Sequence, residues 1–274
     1  MNHQSLPGPL QWEFWRTYRN FEPTWFYATL GLVSLMLFCL LAGAIDERVI
    51  NGISIWDKPF KFALSFAVYF PTLLIFARYL PDGYLQTGTG RRVAVSISLI
   101  VALEMAYITI QAALGEASHF NYSTRFHTTM YQMMGIGALW TVAAPLLFAW
   151  VIALKNAKTD PIVVSIVIGL GLTFALGGGF GVYLGAQTSH WVNAAATDAN
   201  GIWLFNWATD GGDLRVAHFF GLHAMQAVPL FALLLPQQLR KNIACILVVT
   251  FSVIYASYSL HTFFQATQGQ PFYN

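Results

Sequence analysis

Seven long, uninterrupted apolar runs constrain this 274-residue chain more than any other feature; they cover residues 25–45, 53–80, 93–114, 128–154, 161–186, 215–236 and 243–265. A helix needs about 20 apolar residues to cross a bilayer core of about 30 Å. A strand of a membrane barrel shows about 10 alternating residues instead. Continuous runs of this length predict an all-α integral membrane bundle of seven transmembrane helices. Composition agrees, because 56% of the residues are apolar and 9% are charged, where a soluble domain carries about a quarter charged residues. The net charge of +2 gives no electrostatic footprint for nucleic acid. No linker, low-complexity tract or internal repeat divides the chain, so residues 1–274 read as one domain.

The first 24 residues are polar and aromatic, and Trp12, Phe14, Trp15 and Tyr18 suit a segment lying at the membrane interface. The apolar run that follows is too long for a cleavable signal core, so it is expected to stay as an anchor. Lys and Arg are enriched on cytoplasmic flanks. Seven spans put Arg16, Arg19, Arg78, Arg91, Arg92, Lys155, Lys158, Arg240 and Lys241 on one side, and Arg48, Lys58, Lys61, Arg125 and Arg215 on the other. That bias predicts a cytoplasmic N-terminus and an external C-terminus. Cys39 and Cys245 then lie at opposite ends of the bundle, beyond disulfide reach.

This topology sends His119, His127, His190, His218, His223 and His261 to the extracytoplasmic half, leaving only His3 on the other side. Glu104 sits near the middle of the third span, with Tyr107 and Gln111 on the same helical stripe. A carboxyl at that depth is expected to be protonated, paired or beside a polar space. Lys61, about two turns inside the second span, is its best candidate partner, whereas Lys58 suits snorkelling to the headgroups. On a continuous sixth helix, Arg215, His218, His223 and Gln226 would share an arc of about 140°. The two histidines lie at opposite edges of that arc, so a metal between them needs ligands from other helices. Gly177, Gly181 and Gly185, spaced by four, suit close helix packing. Residues 187–214 carry Trp191, Trp203, Phe205 and Trp207 and no Lys or Arg before Arg215, which suits a lid over the bundle mouth, with Asp213 capping the next helix.

The strings "GEASHFN", "GGDLRVAHFFGLHAMQ", "IWDKPFKF" and "QATQGQPF" resemble a group of bacterial polytopic inner-membrane proteins without an assigned activity, over nearly the whole chain. The resemblance implies no mechanism. The Ser-x3-His and His-x3-His signatures of the progestin/adipoQ receptor-like zinc hydrolases are absent, and the last span lacks the lysine that retinal proteins need. Imidazoles lead the ligands for Zn, Cu, Fe and haem iron. The expectation is therefore a membrane enzyme or redox protein holding a transition metal or haem. Its metal ligands would be His119, His218, His223 and His261. His223, His261, Tyr258 and Gln226 would contact the cofactor, and Glu104, Lys61 and Arg215 would act on a small or lipid-soluble substrate. A proton-coupled carrier using Glu104, Lys61 and the histidines is the alternative, and a sensor or assembly partner for an unspecified protein is the third reading.

Overall fold

A computed structural model describes Arg16, Tyr18, Arg19 and residues 21–273. Most of the interfacial segment expected over residues 1–24 lies outside the described residues. The chain is a helical membrane bundle. The elements are α1 (Pro23–Ile45), β1 (Val49–Ile50), β2 (Ile53–Ser54), α2 (Asp57–Ala77), α3 (Gly88–Leu114), α4 (Arg125–Ala143), α5 (Pro145–Lys155), α6 (Pro161–Leu172), a π-helical turn (Thr173–Gly178), α7 (Gly179–Gly185), β3 (Trp191–Val192), β4 (Gly212–Asp213), α8 (Leu214–Leu222), α9 (Ala224–Leu234) and α10 (Lys241–Thr267). Among the described residues, six helical stretches are long and apolar enough to cross a membrane: α1, α2, α3, α4 with α5, α6 through α7, and α10. The pair α8 and α9 qualifies as a seventh only if counted as one span bent by 50°.

The second helix starts four residues later than its apolar run. Residues 53 and 54 pair as an antiparallel strand with 49 and 50, in the register Val49 to Ser54 and Ile50 to Ile53. Asn51 and Gly52, both at positive φ, form the two-residue turn, and that backbone geometry is why Asn-Gly favours hairpins. Hydropathy alone could not separate this hairpin from the helix beside it.

At the end of the bundle away from this hairpin, packing is dry and aromatic. Trp25, Phe70, Leu73, Ile97, Ile152 and Ile166 are almost fully buried in one cluster spanning five helical stretches. Lipid tails are as apolar as these side chains, so close packing and interhelical hydrogen bonds hold the helices together. The Trp25 indole donates to the Ala94 carbonyl at 3.3 Å. Proline creates another such bond: Pro145 has no N–H for the Thr141 carbonyl one turn back, and the buried Tyr69 hydroxyl donates to that oxygen at 2.6 Å.

Candidate functional site

The bend between α8 and α9 organises the other end. His223 leaves helical geometry (φ −85°, ψ 4°), and the interruption exposes backbone groups that lipid would not satisfy. Thr173, at the start of the π-helical turn, supplies both partners: its hydroxyl donates to the Leu222 carbonyl at 3.3 Å and accepts from the Met225 N–H at 2.9 Å. The two irregular segments cross where Gly177 meets Gly221; a Cβ on Gly221 would lie 2.5 Å from the Gly177 nitrogen. The π-turn also presents the Gly177 carbonyl to His218 Nδ1 at 2.9 Å. A carbonyl can only accept, so Nδ1 carries the proton and Nε2 keeps its lone pair. Because of the bend, the single polar arc expected for a straight sixth helix does not exist.

The 187–213 segment is pinned to this end by Arg215. Asp213 caps α8 by accepting from the Arg215 N–H. The Arg215 guanidinium contacts Asp213 at 2.6 Å, Asp198 at 2.7 Å and the Asn206 carbonyl at 2.7 Å. Both aspartates are buried, with Asp213 side-chain exposure 0%. Burial opposes ionisation of Asp198, but His190 and Arg215 outweigh it and hold the carboxyl below the usual carboxylate range. His190, 3.5 Å from Asp198, is lowered in pKa chiefly by burial. The hairpin turn joins in, because the Asn51 carbonyl accepts from the Asp198 N–H and the Thr197 hydroxyl. β3 and β4 pair at the base of the segment. Phe205 and Trp207 stack on each other and meet Phe219 of α8 edge-on.

Beneath this cover lies a cluster rich in basic groups. Lys61 donates to the Asn206 side chain at 2.9 Å, and no ion pair joins it to Glu104 among the described residues, so the expected Lys61–Glu104 pair is replaced by a tie from α2 to the loop. Lys58 does not snorkel away. It lies within electrostatic reach of Arg215, Asp198 and Lys61, and its charge bears on His119. Lys58 makes no hydrogen bond and no ion pair among the described residues, although Arg215 beside it takes two carboxylates. Burial, with Lys58 and His218 next in effect, holds the His119 pKa well below the ordinary histidine value. His119 also meets Phe62 and Tyr131 ring to ring. His218 in turn senses His223, whose ring lies 4.3 Å from that of Phe219. Lys58, Lys61, His119, His218 and His223 all keep part of their surface accessible.

Other expected site residues lie apart. His261 is exposed on α10 with no hydrogen bond or ion pair among the described residues, and Tyr258 is 42% exposed. The face that α10 turns inward is made of Ser252, Ser259, Thr262 and Ala266, and His261 falls off it. Gln226 does stay beside His223, with a side-chain hydrogen bond between them, and it also reaches α2, donating to the Thr72 hydroxyl at 3.2 Å. Glu104 is buried against α4, away from the basic cluster, with its Oε1 unpartnered. Among the described residues no group of three His, Cys, Asp or Glu side chains is placed to hold a metal ion. The four-histidine metal set therefore does not assemble. His261, exposed on α10, is not brought together with His223 in any such group.

Sequence reasoning placed Lys58 at this end but only as a snorkelling cation, and it missed Thr173, Asp198 and Asn206. Lys58 alone carried a usable signal, a cation one turn from Lys61 on the same helix. An apolar groove of about 430 Å³, lined by Gly31, Leu32, Val101 and Met105 among others, opens between α1 and α3 and includes none of these charged groups. Comparison with protein-family models, with curated proteins and with solved structures finds no match to this chain.

Proposed function

We propose that this is a seven-span inner-membrane protein, with its N-terminus in the cytoplasm, that binds a small lipid-soluble molecule with an anionic head at the extracytoplasmic end of the bundle. The observation that carries this reading is Lys58. An ammonium group partly withdrawn from water and making no direct ion pair among the described residues is costly, and a carboxylate or phosphate head would supply a direct partner. Arg215 is neutralised by Asp198 and Asp213, and Lys61 is engaged by Asn206, so among the described residues Lys58 is the cation of this set that makes no hydrogen bond or ion pair. Phe62 and Phe219 offer apolar walls, and His218 Nε2 is an acceptor able to take a proton from a bound ligand. Membrane enzymes that act on such heads by proton transfer need this combination of fixed cation, neutral imidazole and excluded water. The ligand set does not support a metal or haem at this site, and no step is assigned to one.

The test uses full-length protein in lipid nanodiscs and three probes sharing a chain: a medium-chain fatty acid, its methyl ester and the matching trimethylammonium amphiphile. The fatty acid should raise thermal stability, by about 2.7 kcal/mol at a hundredfold excess over Kd. The ester and the cation should not, and Lys58→Gln should abolish the effect. Equal stabilisation by the ester would end the anion reading. A carrier is a second reading, favoured by the 50° bend at His223, since broken helices build the midplane sites of many transporters. Uptake of the same fatty acid into proteoliposomes, lost in Lys58→Gln, would separate carriage from binding.

A further inference from the structure

α3 and α4 share a second polar seam, which the basic cluster does not use. Glu116 stands at its mouth with 48% of its side chain exposed, and its carboxylate lies 3.2 Å from His127 Nε2. On the other side of the ring, His127 Nδ1 lies 3.0 Å from Gln111 Nε2 and 3.3 Å from the Tyr107 hydroxyl. Gln111 Nε2 also donates to that hydroxyl at 2.8 Å. The amide and the phenol are both donors toward Nδ1, so Nδ1 accepts and the ring proton sits on Nε2, aimed at Glu116.

Deeper in the seam, two acceptors have no hydrogen-bond partner among the described residues: Gln111 Oε1 and Glu104 Oε1. Both residues are more than nine-tenths buried, Gln111 at 2% exposure and Glu104 at 6%. Glu104, Tyr107 and Gln111 recur at spacings of three and four, which places them on one stripe of α3. Facing them, Gly137 of α4 leaves the room that Glu104 occupies, since a Cβ there would lie 2.5 Å from Oε1. No charged group pairs with Glu104 among the described residues. Buried oxygens of this kind take hydrogen bonds from water or carry a proton of their own.

We propose that Glu116, His127, Gln111 and Tyr107 form a proton-conducting chain linking the surface at the loop end with Glu104, and that Glu104 is a proton-loading site inside the bundle. In the outward direction, the Glu104 acid gives its proton, through a water held between the two unpartnered oxygens, to the Tyr107 oxygen. The Tyr107 O–H proton passes to His127 Nδ1, and the Nε2 proton passes to the Glu116 carboxylate. Glu104 ends as carboxylate, Glu116 as acid, Tyr107 keeps one proton and His127 has changed tautomer; the reverse sequence loads Glu104. Gln111 holds the phenol and the imidazole in line and is a positioning residue.

Infrared spectroscopy of the full chain in nanodiscs tests this. A protonated carboxyl band lost in Glu104→Gln identifies the Glu104 proton, and its shift after transfer to D2O times exchange with bulk. Tyr107→Phe and His127→Phe should keep the band and slow its exchange about tenfold or more, equivalent to about 1.4 kcal/mol on the barrier. Tyr107→Phe removes a single oxygen and carries the test if His127→Phe does not fold. Lys58→Gln should leave the exchange rate unchanged, so failure of the anion site and failure of this chain are distinguishable. The proposal is overturned if no Glu104 band exists at any pH where the protein is folded, or if the band exchanges as fast in Tyr107→Phe as in the native chain.

Discussion

The two ends of the bundle are built from the same helices by opposite means. At one end, Trp25, Phe70, Leu73, Ile97 and Ile152 fill space with almost no polar atoms, and what polar groups there are have partners, as Tyr69 does on Thr141. At the other, Arg215, Asp198, Asp213, Lys61 and Asn206 tie a loop to a bent span, while Lys58 is left unmatched. Close packing tolerates little movement or change in volume, so the first end suits a rigid platform. Charge partly withdrawn from water is stabilising only when it is answered, and the unmatched lysine is what the proposed anionic ligand would answer.

The largest effects should separate these two modes. Trp25→Ala should cost about 3–5 kcal/mol through the cavity it leaves, yet preserve fatty-acid binding to the folded fraction. Arg215→Met should cost a similar amount, about 3–5 kcal/mol, because Asp198 and Asp213 would remain buried without their cation, and binding should weaken as well. Denaturant titration with a parallel binding assay measures both. If Arg215→Met proves neutral, the clamp is not what holds the loop.

Substitutions at the crossing should have intermediate effects. Gly221→Ala forces the π-turn and α8 apart and should cost about 1–3 kcal/mol, the usual range for overpacking. Thr173→Val removes the hydroxyl that serves both the Leu222 carbonyl and the Met225 N–H, with an expected loss of about 1–3 kcal/mol. Thermal unfolding of each variant would expose a bend that does not depend on this strap.

Acid should weaken the polar end more gently. The folded pKa values of His119 and His190 lie below the ordinary histidine value of 6.5. As pH falls through 6.5 the unfolded chain takes up protons that the folded chain refuses, so this contribution is complete above 6.5 and is lost below it, toward the lowered folded values. His119→Asn should flatten that decline in a melting-temperature series, and an unchanged slope would remove His119 from the account. The smallest effect on stability is expected for Lys58→Gln, neutral or slightly stabilising because no counter-ion is lost, although ligand binding disappears.

Parts of this molecule were legible in the chain, and the gaps follow a pattern. Asp213 reads as a cap because a carboxylate one residue before an apolar helix meets free N–H groups, and it caps α8. The Asn51-Gly52 turn was equally local and could have been found from the dipeptide alone. The bend at His223 was not legible, because its remedy is a threonine 50 positions upstream. Gln226 looked like a member of the histidine face, and it keeps a side-chain hydrogen bond to His223 while also donating to Thr72. His261 shared the depth of the other histidines in a topological count, and only the rotation of α10 sends it outward.

The sequence by itself determined that this is a helical membrane protein, because the cost of unsatisfied backbone in lipid leaves a long apolar run little choice but helix. Helix rotation, the broken span and the partner of each buried charge were decided by the tertiary structure. Those depend on which side chain from a distant segment reaches a given oxygen, and a difference of one residue in register turns a group by about 100°. For that reason the histidines could be gathered at one depth by counting, while Lys58 could be recognised as the unpaired cation only after Arg215, Lys61 and their partners had taken their places.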